Sequence, residues 1–234
     1  MNELWHQLAA KANLVLTDAQ HAKLSAYIDL LFEANQRMNL TRIADRAAAE
    51  VQHVGDALTV LPFLPVEAFG LADVGSGGGV PGIILAIARP DAKVVLIEST
   101  KKKAVFLQEA VTKLELSNVE VIAERAEIVG QGDLRDSCDV AVARAVGALD
   151  FLVEWCLPLV KKGGKMLAMK GARIVDELPA ALKAIHMLSG GEPIVHPVEL
   201  PGAEHHVIVE IAKIGRTDAR YPRDPTLAKG KAIG

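Results

Sequence analysis

The densest chemistry in the 234-residue chain is the run Asp73-Val-Gly75-Ser76-Gly77-Gly-Gly79-Val80-Pro-Gly82. Glycines at this spacing let a backbone turn sharply and approach a ligand closely, and the N–H groups of a following helix face whatever sits there. Glu98 stands nineteen positions after Gly79, the distance at which a carboxylate takes ribose hydroxyls in a nucleotide-binding unit. Two cofactors compete for this layout. Gly77 to Gly82 satisfy the GxGxxG dinucleotide spacing. The glycines nevertheless start earlier, in a frame opened by Asp73. A carboxylate at a strand end suits the ammonium group of S-adenosylmethionine and repels a pyrophosphate. The expectation is therefore the methyl donor, held by Asp73, Gly75, Ser76, Gly77, Gly79, Val80 and Glu98. A nicotinamide dinucleotide, or a glycine loop without a ligand, stays open as an alternative.

Other strand ends constrain the reaction, because ligands of open α/β sheets bind outside them. Arg125-Ala126-Glu127 follows the third predicted strand, where an adenine would lie; an ordinary polar loop is the alternative. The fourth strand ends at Arg144 and the fifth at Lys170. The Asn/Asp-Pro-Pro-aromatic run used on exocyclic amines is absent, and so is a Pro-Cys that would attack a pyrimidine. Cys138 falls at the wrong end of its strand and Cys156 reads as buried in a helix. These absences point to an acceptor that needs no activation. A guanine N7 is one, since its in-plane lone pair attacks without losing a proton, leaving orientation as the main catalytic task. Arg144 and Lys170 are the candidates beside it. Arg144 would touch the guanine O6, the cofactor or a phosphate, or else form an ion pair with a neighbour such as Glu127. His53 and Asp56 share a helix face at i, i+3, and become functional only if the fold carries them to the glycine loop.

The elements that must position these residues follow from periodicity. Thr17-Asp-Ala-Gln20 has capping-box spacing, followed by Leu24, Tyr27, Ile28 and Leu31 at helical intervals. Asn35–Thr41 reads as a turn, and a helix is expected from about Asp45 to Leu61, stopped by Pro62 and Pro65. Strands are expected at Gly70–Val74, Val94–Ile97, Val119–Ile122, Asp139–Ala143 and Lys165–Met169. Helices alternate with them near Pro81–Ala88, Lys101–Leu114 and Leu149–Val160, which argues for a parallel sheet covered on both faces. A further helix near Ile174–Leu188 precedes two strands, Ile194–Glu199 and His206–Ile214, separated by Pro201-Gly202-Ala203 and suited to an antiparallel hairpin. The expected division is a helical N-terminal extension (1–66), an α/β core (67–214) and a basic tail (215–234), together one structural domain.

Bulk properties narrow the classes. Formal net charge is −3, yet residues 213–234 carry six Lys or Arg against two Asp. Such a segment suits a polyanion, or is simply a solvated tail. The two cysteines form no CxxC pattern, which disfavours a disulfide framework and a cysteine zinc site; no metal is expected. Apolar runs such as Ile83–Ala88 are too short to span a membrane, and the first residues lack signal-peptide features. A cytoplasmic, membrane-free protein is expected.

Taken together, NQRMNLT at Asn35–Thr41, His53-Val-Gly-Asp56, DVGSGGGVPG at Asp73–Gly82 and KKKAVFL at Lys101–Leu107 resemble, in order and spacing, the bacterial small-subunit ribosomal RNA guanine-N7 methyltransferases. This is the glucose-inhibited division protein B family. Ala143-Arg-Ala145, Lys170-Gly171 and Tyr221-Pro-Arg223 extend the likeness, which runs from about residue 15 to 214. It implies a class I, Rossmann-like methyltransferase fold with a mostly parallel seven-stranded sheet. It also implies S-adenosylmethionine as donor and a guanine of 16S rRNA, free or in the small ribosomal subunit, as acceptor of a monomeric enzyme. By motif match, donor contacts carry over to Gly75, Val80, Glu98, Ser99, Thr100, Ala126, Glu127 and Arg144. Asn39, His53, Asp56, Arg125 and Lys170 carry over to the acceptor side. Glu98 stands where the family more often has aspartate, and either carboxylate accepts from ribose hydroxyls. An NAD-dependent oxidoreductase, a small-molecule methyltransferase and a non-catalytic binding module on this fold are the rival readings.

Overall fold

The computed structural model describes residues 2–228 and 231–233. Its strands are β1 (Gly70–Val74), β2 (Lys93–Ile97), β3 (Val119–Ile122), β4 (Cys138–Arg144), β5 (Val160–Lys170), β6 (Ile194–Pro197) and β7 (Val207–Ala212). They form one sheet in the order β3-β2-β1-β4-β5-β7-β6. β1 to β5 pair in parallel, whereas β7 runs antiparallel between β5 and β6. This is the class I methyltransferase order. The winding reverses between β1 and β4, and a crevice opens there, beyond the C-terminal strand ends.

Helices cover both faces. On one lie α1 (Glu3–Ala10) and α2 (Asp18–Asn35), then the short α3 (Arg46–Ala49) and α4 (Asp56–Leu58), with α5 (Gly82–Ala88) and α6 (Lys101–Lys113). Leu24, Ile28 and Leu31 of α2 bury against Ile83, Ile84 and Ile87 of α5, as the helical spacing predicts. Thr17 and Gln20 form the predicted capping box. Gln20 Nε2 also donates to the Ile87 and Ala88 carbonyls (2.9 and 3.1 Å), satisfying the end of α5 from outside. The opposite face carries α7 (Ala126–Val129), α8 (Leu149–Cys156) and α9 (Ile174–Met187), where Leu152, Val153 and Ile185 pack on Ala141, Ala143 and Met166. Cys138 and Cys156 are both buried there, and burial raises both thiol pKa values.

Three expectations need correction. The helix expected over residues 45–61 is not continuous. Residues Glu50–Gly55 form a π-helical turn between α3 and α4, and Leu61–Phe63 form a 3-10 turn. One extra residue per turn offsets the following face by about 100°, and both His53 and Asp56 end up buried. β5 starts at Val160 rather than at Lys165, because its pairing with β4 skips from Val160 to Lys165 across an irregularity containing Gly163 and Gly164. The 215–234 segment is not simply a solvated basic tail. Lys213, just before it, is buried and donates to Leu157 O (2.7 Å) and Leu188 O (3.2 Å). Arg223 clasps Glu154 of α8 through Nε and Nη2 (2.8 and 2.6 Å). Arg220 pairs with Asp218, and a last helix, α10 (Pro225–Ala228), was not foreseen. Lys229, Gly230 and Gly234 of that segment lie outside the described residues.

Candidate active site

After β1 the chain reverses through Gly75, Gly77 and Gly79, all at positive φ (71°, 58° and 94°). A Cβ on Gly75 would meet Val146 Cγ2 at 2.6 Å, and one on Gly82 would meet Leu96 Cδ2 at 2.3 Å and Asp73 Oδ2 at 2.5 Å. Glycine is thus required at the first by conformation and contact together, and at the second by contact alone. The loop is tied to the end of β2. Gly75 N and Ser76 N donate to Ile97 O (2.8 and 3.1 Å). Gly77 N donates to Glu98 Oε2 (2.9 Å) and Thr100 N to Glu98 Oε1 (2.7 Å). Glu98 therefore joins the glycine loop to the start of α6, and each carboxylate oxygen keeps a further lone pair.

Asp73 lies beneath the loop rather than at its mouth. Its Oδ2 accepts from Gly82 N (3.0 Å), satisfying a first-turn N–H of α5, while Oδ1 is buried without a hydrogen-bond partner. Burial pushes its pKa up to about 7, against the lowering effect of the Gly82 N–H. Ser76 Oγ donates to the Asp73 carbonyl (2.9 Å). Gly79 and Val80 follow in the same loop and lead into α5.

Beside the loop lies a cleft of about 400 Å³, counted out to its open mouth. Val74, Ile97, Val146 and Trp155 make its apolar wall. Of the residues expected at the donor and acceptor, Gly75, Ser99, Arg125, Ala126 and Glu127 line it. Arg125 Nη2 bonds the buried Glu127 at 2.7 Å. Val146, Trp155 and Glu124 were missed by the sequence reading, and no spacing motif marks them. Val146 reaches Gly75 because Ala145 takes a left-handed conformation, φ 55°, which costs a non-glycine residue about 1 kcal/mol. The aliphatic and indole wall is apolar surface of the kind a nucleobase needs, and the Glu98 carboxylate next to Ser99 of the lining keeps lone pairs for hydroxyl donors.

The other half of the site centres on Arg144, at the end of β4. Its Nε pairs with Asp56 Oδ2 (3.0 Å) and its Nη2 donates to Gln52 O (2.8 Å). Among the described residues its buried Nη1 has no partner. The ion pair is therefore with Asp56, not Glu127, because the π-turn swings Asp56 inward while Glu127 is engaged by Arg125. Asp56, 2% exposed, also holds His206 Nδ1 through Oδ1 (3.1 Å). His206 was not singled out from sequence.

His53 Nε2 lies 2.8 Å from Thr41 Oγ1, and its Nδ1 is buried and unpartnered. Burial, and then the Arg144 charge, lower its pKa to about 4. His53 is linked to the glycine loop through Thr41, whose neighbour Leu40 packs on Gly78. Asn35 Oδ1 accepts from Leu40 N and Thr41 N (2.8 and 3.0 Å), fixing a turn on which Asn39 is exposed. Leu40 abuts Gly78, whose carbonyl accepts from Tyr27 Oη (2.7 Å).

Lys170 is a brace, not a free cation at the cleft. Its largely buried side chain contacts Glu177 Oε2 (2.5 Å) and donates to Gly147 O (2.8 Å). Glu177 Oε2 also accepts from Leu149 N at the start of α8 (2.9 Å). One ammonium hydrogen thus holds the 145–148 loop directly at Gly147, and a second acts through Glu177 on Leu149, where the loop ends.

A family model described as rRNA small subunit methyltransferase G, GidB, matches residues 20–207. The chain belongs to that family. The rRNA small subunit methyltransferase G of Alkaliphilus oremlandii (strain OhILAs) is 41% identical over 228 residues, 95% of either chain. That of Chloroflexus aggregans (strain MD-66 / DSM 9485) is 42% identical over 209 residues, 89% of this chain and 88% of the other. Among solved structures, an S-adenosylmethionine-dependent methyltransferase from Aquifex aeolicus aligns with TM-score 0.56 at 16% identity, covering 73% of this chain and 94% of that one. A precorrin-6y C5,15-methyltransferase from Geobacter metallireducens aligns with TM-score 0.51 at 17% identity, covering 68% and 87%. These two show the shared fold. Membership of the rRNA small subunit methyltransferase G family removes the oxidoreductase, small-molecule and non-catalytic alternatives. Among the described residues no helix is long and apolar enough to cross a membrane.

Proposed function

We propose that this chain transfers the methyl group of S-adenosylmethionine to N7 of a guanine in 16S rRNA. The observation that carries the reading is the Glu98 bridge beside an apolar cleft at the β1–β4 reversal. When bound, the cofactor supplies an electrophilic methyl group on a sulfonium centre. Glu98 accepts its ribose hydroxyls, and Val74, Ile97, Val146 and Trp155 cover its base. Gly75, Gly77, Gly79 and Val80 give it close backbone approach, with Ser99, Thr100, Ala126 and Glu127 along the rim. Asp73 supports the glycine loop from beneath through Gly82 N and does not itself meet the ammonium end.

On the acceptor side, Arg144 offers its one unpartnered nitrogen, Nη1, in a guanidinium fixed by Asp56 and Gln52. Asn39, His53 and Arg125 flank the approach, and Lys170 positions the loop that follows Arg144. No side chain here needs to remove a proton, because guanine N7 has none to lose; catalysis is orientation of the acceptor. The lowered pKa of His53, which burial and the Arg144 charge bring to about 4 and which makes it a weak base, and the buried cysteines with raised pKa values agree with that requirement.

We take the enzyme to act as a monomer in the cytoplasm, on free 16S rRNA or on the small ribosomal subunit. Calorimetric titration with S-adenosylhomocysteine, with NAD as control, tests the donor; radiolabelled methyl transfer to 16S rRNA and to small subunits tests the acceptor. Micromolar binding of the homocysteine compound with none of NAD is the expected result. Tight NAD binding would end this reading, and light scattering that gives a dimer mass would correct the oligomeric state.

A further inference from the structure

Arg144 is held entirely by groups from outside its own strand. Gln52 O takes Nη2 at 2.8 Å and Asp56 Oδ2 takes Nε at 3.0 Å, both from the segment spanning the π-turn and α4. Asp56 in turn depends on a residue from the far end of the sheet: His206 Nδ1 lies 3.1 Å from Asp56 Oδ1, immediately before β7. The three side chains form an unbranched chain, imidazole to carboxylate to guanidinium, in which every Asp56 oxygen is engaged. Such a carboxylate fixes the rotation of the guanidinium about its own plane, because two of the three guanidinium nitrogens have set partners and the third does not. Rotation of Asp56 about its carboxyl axis would swing Nη1, the single free nitrogen, away from its present direction.

We infer that His206 is a positioning residue for methyl transfer, acting through Asp56 to set the direction of the free Nη1 of Arg144. His206 itself touches neither the glycine loop nor the cleft wall; its side chain is 39% exposed and borders water. Its single polar contact with the site is Asp56, so removing it leaves the cleft, Glu98 and the glycine loop as they are. The Nδ1 position donates to Asp56, leaving Nε2 to solvent, so an asparagine amide placed there supplies a comparable donor while a leucine supplies none. His53, although close to the same arginine, is not an alternative holder of Asp56: its Nε2 is taken by Thr41 and its Nδ1 has no partner.

The inference rests on the methyl-transfer reading, and the test separates the two. Wild type, His206→Leu and His206→Asn are compared for S-adenosylhomocysteine affinity, thermal midpoint, and kcat and KM for methyl transfer to 16S rRNA or small subunits. His206→Leu should lower kcat about tenfold, the scale of one charge-assisted hydrogen bond. Donor affinity and KM should stay close to wild type, the thermal midpoint of His206→Leu should fall by a few degrees because buried Asp56 Oδ1 loses its donor, and His206→Asn should recover most of the rate. Unchanged kcat in His206→Leu overturns the inference. So does an asparagine variant as slow as the leucine one, or a rate loss in His206→Leu that vanishes at temperatures where both proteins are fully folded. A wild type that neither binds the homocysteine compound nor methylates rRNA overturns the functional reading itself, and this inference with it.

Discussion

The two halves of the site are built in opposite ways. The Glu98 half is assembled from backbone: Gly75, Ser76, Gly77 and Thr100 all contribute N–H groups, and the partners come from the ends of adjacent strands, β1 and β2. The Arg144 half is assembled from side chains of distant segments, with Gln52, Asp56 and His206 converging on one guanidinium. Backbone donors are present whatever the side chain, so the first half depends on conformation, and glycines supply it. The second half depends on particular functional groups in a dry setting, where a missing partner leaves a buried charge exposed to its full desolvation cost.

That contrast can be broken at several points. The largest effect should come from Asp56→Ala, which strands Arg144; losing one partner of a buried ion pair costs about 3–5 kcal/mol, measurable by urea unfolding. A cost below about 1 kcal/mol, the range of exposed pairs, would mean that the half built from side chains is solvated after all. Gly82→Ala comes next. Its new methyl would meet Leu96 and Asp73 well inside contact distance, and overpacking of this kind costs about 1–3 kcal/mol. Binding of S-adenosylhomocysteine should weaken with it, whereas a variant as stable as wild type would show that the loop has slack.

Glu98→Gln turns an amide NH2 toward one of the two backbone N–H groups that Glu98 now accepts, so it should lower stability by about 1–3 kcal/mol and weaken S-adenosylhomocysteine binding about tenfold or more. KM for RNA should not move; a change confined to KM would transfer Glu98 to the acceptor half. The smallest effect is in pH dependence. His53 in the folded protein stays neutral until about pH 4, whereas the unfolded residue protonates near 6.5. The unfolded state therefore binds more protons between those values, and stability falls as pH falls through that window. His53→Gln, which keeps a partner for Thr41, should give a shallower decline between pH 6.5 and 4 than wild type. Equal slopes would place His53 in water.

The same contrast explains what the sequence disclosed. Alternating apolar runs and helical stripes revealed the sheet, its flanking helices and the closing antiparallel pair, because each is a local pattern. The glycine loop and Glu98 were legible for the same reason: they follow successive strands at fixed spacing. Arg144 was legible as a strand end, but its partner was not, since nothing along the chain ties it to Asp56 rather than Glu127. His206 and Trp155 carried no local signal. The π-turn at Glu50–Gly55 was hidden as well, because its residues have ordinary helical propensity and only the burial of His53 and Asp56 against the core reveals the widened turn. Lys170 was placed correctly at a strand end, yet its engagement by Glu177 and Gly147 turned a candidate beside the acceptor into a brace.

The separation of 150 positions between Asp56 and His206 also sets an order in time. Synthesis runs from the N-terminus, and chains begin to fold as they emerge. Glu98 has all its backbone partners once Thr100 has left the ribosome, whereas the cleft wall beside it waits for Val146 and Trp155. Asp56 is made long before Arg144 and later still meets His206, and until then its carboxylate has to remain hydrated. Burial of the π-turn is accordingly a late event of biogenesis, and an enzyme that modifies rRNA becomes competent only after nearly its whole length has been translated.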